Sequence, residues 1–159
     1  MQPLSSLPDQ APVLVRVCAP GLEAAGAAAL WTGLDKLFRI FCDEGRCSAW
    51  AGESAAAGSV VVLGWDGPPL SGCSHDRLAR LLAVHQQRHG NDLLNPPPLV
   101  AQVDGAWRAM TRAELRQNST DATPVVDVRV ETVAAWRERG IVRLGESWIR
   151  PLVAAQTVS

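Results

Sequence analysis

The chain has 159 residues, 47% of them hydrophobic and 19% charged, with a formal net charge of -1. That length points to a single domain (1–159) with enough apolar material for a core. The near-neutral charge excludes a general nucleic-acid or membrane-surface binder, and no apolar run reaches the length of a bilayer span.

Residues 1–11 read as a polar, proline-containing, flexible lead-in without the basic start and apolar core of a secretion signal. The expected setting is the cytoplasm, where the four cysteines would be reduced thiols. Residues 13–18 are β-branched and apolar and read as a strand. Pro20 suits a first helical position, and a helix is expected from there to about Cys42. Its apolar face is Gly26, Leu30, Leu34, Leu37, Phe38 and Phe41, at spacings of three and four. Gly26 and Gly33 weaken it and would let it lie close to a sheet.

Residues 43–46 turn the chain into a weaker strand over 47–53, and 55–58 read as a hairpin loop. Residues 59–66 form a buried strand, which Gly67, Pro68 and Pro69 break. Leu78, Leu81, Leu82 and His85 then fall on one face of a second helix, closed after His89 by Gly90-Asn91. Asn95 to Pro98 make a stiff connection. Residues 99–103 are the next strand, and Asp104-Gly105 turns it into 106–110. Thr111 caps a short helix through Arg116, and 117–121 are a polar break. Residues 125–130 alternate as a strand does. Residues 133–137 are helical by propensity, 140–144 look extended, and 131–139 stay open between helix and strand.

This order is the ferredoxin-like βαββαβ pattern: α+β, one antiparallel sheet with two helices on one face. Residues 12–110 would build it, and 111–159 would form a C-terminal helix and strand extension. In that arrangement the first helix ends at the sheet edge where the second begins. Cys42, Glu44 and Cys47 would lie near Asp66, Cys73 and Asp76, with His85 and His89 toward the opposite edge.

The densest cluster of reactive side chains is the turn 70–78, Leu-Ser-Gly-Cys-Ser-His-Asp-Arg-Leu. Ser71 or Ser74 can cap the second helix, and Asp76 meets the positive end of its dipole. With Ser71 as cap, Cys73 falls in the first turn, where the dipole favours a thiolate; with Ser74 it lies just outside. The competing reading is a small buried cysteine behind a cap. Free N–H groups at a helix start also bind anions.

Two functions are therefore expected as alternatives. One is a small-molecule or anion site formed by Ser71, Gly72, Ser74 and Asp76. In it Cys73 is the nucleophile or redox thiol, and Asp66 or Glu44 is the acid or base. The other is a non-catalytic interaction or regulatory module, a homodimer through an open sheet face, since no complete catalytic set is in view. The expected partners are a small anionic ligand and a second copy, not nucleic acid or membrane.

Other motifs weigh less. Cys42-x4-Cys47 with His85-x3-His89 has a superficial zinc spacing. The gap between the pairs is too long, His85 lies on an apolar face, and the topology separates the pairs by about 20 Å, so no metal is expected. A Cys73–His75 dyad needs a bent turn, because residues two apart on a helix point to different sides. No Gly-rich phosphate loop exists, and the single lysine, Lys36, sits in a helix, so no nucleotide cofactor is expected. The strands lack the aromatic and basic stacking pattern of RNA-binding sheets. Trp148 either pins the tail or serves a dimer contact.

Four stretches, Ser71-Gly72-Cys73-Ser74-x-Asp76, Glu44-Gly45, residues 60–66 and Ser147-Trp148, carry a family resemblance. The chain resembles a family of small bacterial proteins, common in Bacteroidetes, that often bear the label "ABC transporter ATPase". That family has His-Gly where this chain has Glu44-Gly45, and an aliphatic residue where it has His75. What the resemblance implies is limited to Gly72, Cys73, Ser74 and Asp76. It implies no nucleotide hydrolysis, because the phosphate loop is missing.

Overall fold

A computed structural model describes residues 1–154 of the chain. Two antiparallel sheets lie back to back, each covered on its outer face by helices. The first holds β1 (Val13–Val17), β2 (Trp50–Ala55) and β3 (Val60–Trp65), in the order β1-β3-β2. The second holds β4 (Leu99–Val103), β5 (Ala106–Met110), β6 (Pro124–Val126) and β7 (Ile141–Arg143), in the order β5-β4-β6-β7. The helices are α1 (Ala24–Asp43), α2 (Gly72–His89), α3 (Arg112–Asn118), α4 (Val133–Arg139) and α5 (Arg150–Val153).

Side-chain alternation builds the layers. In β3, Val61, Leu63 and Trp65 face α1 and α2, whose Leu30, Leu34, Phe38, Phe41, Leu78 and Leu82 fill the first core. Val60 and Val62 point the other way, with Val13 and Val17, into a middle core shared with Val100 and Val126 of the second sheet. Leu99, Ala101, Val103 and Val125 face outward from that sheet onto Leu115 of α3 and Val153 of α5. The result is an α–β–β–α stack. No helix among the described residues is long and apolar enough to cross a membrane.

The expected single ferredoxin-like sheet is corrected by this arrangement. The fourth strand leaves the first sheet and nucleates the second. Asp92 still bridges Ala19 at the end of β1, with N···O distances of 2.8 and 3.0 Å. Pro96, Pro97 and Pro98 follow, and prolines donate no ladder hydrogen bond. Pairing along β1 therefore stops, and the two edges of β4 are hydrogen-bonded by β5 and β6 instead.

Other differences have local causes. The first helix begins at Ala24, not Pro20, because Leu22 donates to the Gly58 carbonyl (3.0 Å) and Ala19 is held by Asp92. Gly26 and Gly33 do not approach a sheet. A Cβ on Gly26 would sit 3.0 Å from Asn91 Oδ1, and one on Gly33 would meet Leu81 of α2 at 3.5 Å. The strand expected over 125–130 ends at Val126, since the Asp127 carboxylate accepts from Arg129 N (2.9 Å) and bends the chain. The same oxygen accepts from Trp148 Nε1 (2.9 Å), and the Arg129 guanidinium lies 4.5 Å from the Trp148 ring. Trp148 thus pins the C-terminal part. Residues 1–11 are packed rather than a polar lead-in: Leu4 and Leu7 enter the middle core, and Gln2 bridges Ala51.

Cys18 is fully buried, and its Sγ donates to the Pro20 carbonyl at 3.4 Å. Burial, then the nearby Asp92 charge, push its thiol up from 9.0 to about 11. A raised native value means the fold favours the neutral thiol, so its contribution is intact below pH 9 and is lost as pH rises through 11. The unfolding free energy from urea denaturation across that window should fall by on the order of 2 kcal/mol in the wild type. The Cys18→Ala variant should be less stable at neutral pH and should lack this part of the alkaline loss. Equal alkaline slopes in the two proteins would rule out Cys18 as the source.

Candidate functional site

The two helix ends meet as the chain order requires. Gly45, at φ +74°, reverses the chain after α1. Residues 45–49 then run alongside the 66–71 turn. Ser48 N donates to the Asp66 carbonyl (2.8 Å), Asp66 N donates to the Ala49 carbonyl (2.9 Å), and Ser48 Oγ donates to Asp66 Oδ2 (3.1 Å). Gly67 permits the contact: a Cβ there would stand 2.5 Å from the Arg46 carbonyl oxygen. Trp65 Nε1 holds the following turn by donating to the Pro68 carbonyl (2.8 Å).

Ser71, not Ser74, is the cap of α2. Its Oγ accepts from Ser74 N at 3.2 Å, which places Cys73 in the first turn. Cys73 is exposed, so it is not the buried cysteine of the competing reading. Nothing stands within 4 Å of a Cβ built on Gly72, so the approach to the helix start is open there. Ser74 is 1% exposed, and its Oγ lies 3.0 Å from that of Ser71.

Arg46 organises the site. Its Nη1 donates to Ser71 Oγ (3.0 Å) and Ser74 Oγ (3.2 Å), and its Nε donates to Glu44 Oε2 (2.7 Å). Arg77, one turn into α2, donates from Nη1 to both Glu44 oxygens at 3.0 Å and lies 5.0 Å from the Phe41 ring centroid. The hydrogen bonds from Arg46 and Arg77 hold the Glu44 carboxyl below the usual carboxylate range. Glu44 is thus a carboxylate engaged by two guanidinium groups. Asp66 is engaged by Ser48. Among the described residues Cys73 has no hydrogen bond to either acid. With Ser71 as the cap, Asp76 falls beyond the first turn, exposed and without an ion pair among the described residues, so it does not meet the positive end of the dipole as expected.

Gly45, Arg46, Pro68, Pro69, Leu70, Ser71 and Ser74 line a cavity of about 280 Å³. Its walls are apolar, and its polar groups are the guanidinium and the two hydroxyls. Of the residues expected to bind a ligand, Ser71 and Ser74 line it. Gly72 and Asp76, like Cys73, Glu44 and Asp66, are not among its walls.

Arg46 escaped the sequence reading, although it follows the Gly45 turn. An arginine three residues past a helix end is ordinarily a solvated charge, and its partners lie 25 and 28 residues further along. A larger cavity, about 440 Å³, was likewise not foreseen. It lies beside the middle core, where Glu53 Oε1 accepts from Trp136 Nε1 at 2.7 Å across 83 residues of chain.

The histidines lie at the other end of α2. His85 is buried and its Nε2 is 3.2 Å from Asn91 Oδ1, while its ring stacks on His89 at 4.8 Å. Burial is the main cause that lowers its proton affinity, with the His89 charge adding and the Asn91 bond opposing. Cys42 and Cys47 come together at the α1 end, Sγ to Sγ 2.8 Å. Among the described residues no three His, Cys, Asp or Glu side chains form a group that could hold a metal ion. No protein-family model matches the chain, and neither does any curated protein or solved structure.

Proposed function

We propose that the chain binds a small anionic molecule with an apolar portion in the cavity at the start of α2. The observation that carries this reading is Arg46. Its guanidinium is held against Ser71 and Ser74 on the wall of the same cavity. Guanidinium hydrogen bonds to a carboxylate or phosphate are charge-assisted and directional. The first turn of an 18-residue helix adds its positive end to the same field. Pro68, Pro69 and Leu70 supply the apolar wall, and about 280 Å³ suits a small ligand.

Thiol chemistry at Cys73 is the secondary part of the proposal. The exposed Cys73 thiol stands on the first turn of α2 outside the cavity wall, where an electrophile can reach it from solvent. Glu44 does not supply the base, because two arginines occupy it. The resemblance to the small bacterial family, and the view of β1-β3-β2 with α1 and α2 as a ferredoxin-like unit that has lost its fourth strand, belong to the same proposal.

Calorimetric titration with phenyl phosphate and with inorganic phosphate tests the reading. Phenyl phosphate should bind more tightly, by about tenfold, because its ring meets the apolar wall. Equal affinity for the two would remove the apolar wall from the site, and no heat from either would end the proposal.

A further inference from the structure

We infer that Cys42 and Cys47 form a reversible thiol–disulfide couple, oxidised by low-molecular-weight disulfides of the glutathione class. Nothing in this inference depends on the anion site. The two sulfurs stand 2.8 Å apart across the turn that ends α1. A disulfide requires about 2.05 Å between sulfurs, so a small closure suffices. The turn is built to hold them there. Gly45 adopts φ +74°, Gly45 N donates to the Cys42 carbonyl (2.9 Å) and Arg46 N to the Phe41 carbonyl (2.8 Å), which folds Cys47 back onto the last turn of the helix.

The pair is also asymmetric in the way an exchange reaction needs. Cys42 is partly exposed and lines an open cavity of about 300 Å³ with Asp35, Arg39, Ser48 and Trp50. Cys47 is buried behind it. Cys18, fully buried, and Cys73, exposed on α2, take no part in this sulfur contact. Arg39 on the cavity wall is held by Asp35, its Nε donating to Asp35 Oδ2 at 2.7 Å, so the wall beside Cys42 is polar but charge-balanced.

The Cys42 thiolate attacks one sulfur of the reagent disulfide. A Cys42–reagent bond forms, the reagent S–S bond breaks, and one reagent thiolate leaves and takes up a proton. Cys47 then loses its proton to solvent and attacks Cys42 Sγ. The Cys42–Cys47 bond forms as the second reagent thiolate leaves. Two cysteine thiols are oxidised and one reagent disulfide is reduced to two thiols. The order of attack follows from the environment. Burial, then the hydrogen bond and charge of Cys42, push the Cys47 thiol up to about 12. Capping Cys42 as a mixed disulfide removes the two contributions it makes and leaves burial, and Cys47 follows because its sulfur is already against Cys42 Sγ.

The test uses the full chain carrying Cys73→Ser, incubated in glutathione redox buffers and quenched with N-ethylmaleimide. Trypsin cuts after Arg46, so Cys42 falls in peptide 40–46 and Cys47 in peptide 47–77, each then with one cysteine. The expected product is the two peptides joined, lighter by two hydrogens, and separated again by reduced glutathione. The mixed disulfide should stay below about a tenth of the total, because the second thiol is already in contact. Cys47→Ser should instead accumulate one glutathione on Cys42. Peptides that emerge separately, each maleimide-labelled or each glutathionylated, would overturn the inference. So would linkage that forms only in urea.

Discussion

Arg46→Met lowers the affinity for phenyl phosphate by about 10- to 100-fold, the cost of losing a hydrogen bond between charged groups. The guanidinium is the one cation on the cavity wall, and it is positioned by Ser71, Ser74 and Glu44 together. Methionine keeps much of the stem, so the packing over the cavity is largely preserved. Glu44→Gln acts in the opposite direction. In the wild type Glu44 is an internal anion that competes with the ligand for Arg46 and Arg77. Neutralising it at the surface should tighten binding by about two- to fivefold. Opposed shifts in the two variants, measured by calorimetry with unchanged circular dichroism, are the signature expected. A ligand indifferent to Arg46→Met does not occupy this cavity.

Phe38→Ala destabilises the protein by about 3–5 kcal/mol, the usual loss for emptying an aromatic site in a core. Phe38 is fully buried. Its ring stacks on Trp50 at 5.0 Å and 18°, meets Phe41 edge-on at 5.3 Å and lies 6.1 Å from Trp65. One side chain thereby joins α1 to two strands of the first sheet. The surrounding rings are rigid and cannot collapse into the space, which puts the loss toward the upper end. Domains of this size have about 5–15 kcal/mol in total, so the variant stands near the edge of folding. Urea denaturation with an unchanged slope gives the number. A loss under about 1 kcal/mol would show that the aromatic cluster is not the centre of the first core.

Several local features were legible because their signals lie within a few residues. β4 and β5 form as the alternation and Asp104-Gly105 indicate, and both turn residues take positive φ, +52° and +77°. α2 ends on Gly90 in the left-handed conformation. Thr111 and Glu114 make a reciprocal capping box at α3. His85 is a satisfied core histidine, as its place on the apolar face suggested. Within 131–139 the chain is helical from Val133, because Thr132 caps it by accepting from Ala135 N at 3.1 Å. The site was legible in part. Its location at the junction of two helix ends followed from the element order, and one of two serines was the cap. Its central residue was not, because an arginine has no local signature for the distant hydroxyls it contacts.

What the sequence alone determined is where the chain is helical, where it is extended and which side chains turn inward. Those follow from periodicity, capping and turn chemistry, all of which act over a few residues. Only the tertiary structure decided that β4 pairs with β5 and β6 rather than with β1, and that Arg46 rather than Cys73 faces the cavity. A strand's backbone donors and acceptors are the same for every neighbour, so alternation says that a residue is buried without saying against what. The choice is made when three prolines keep β4 from pairing with β1 and Val100 finds Val126 and Val60 in a shared core.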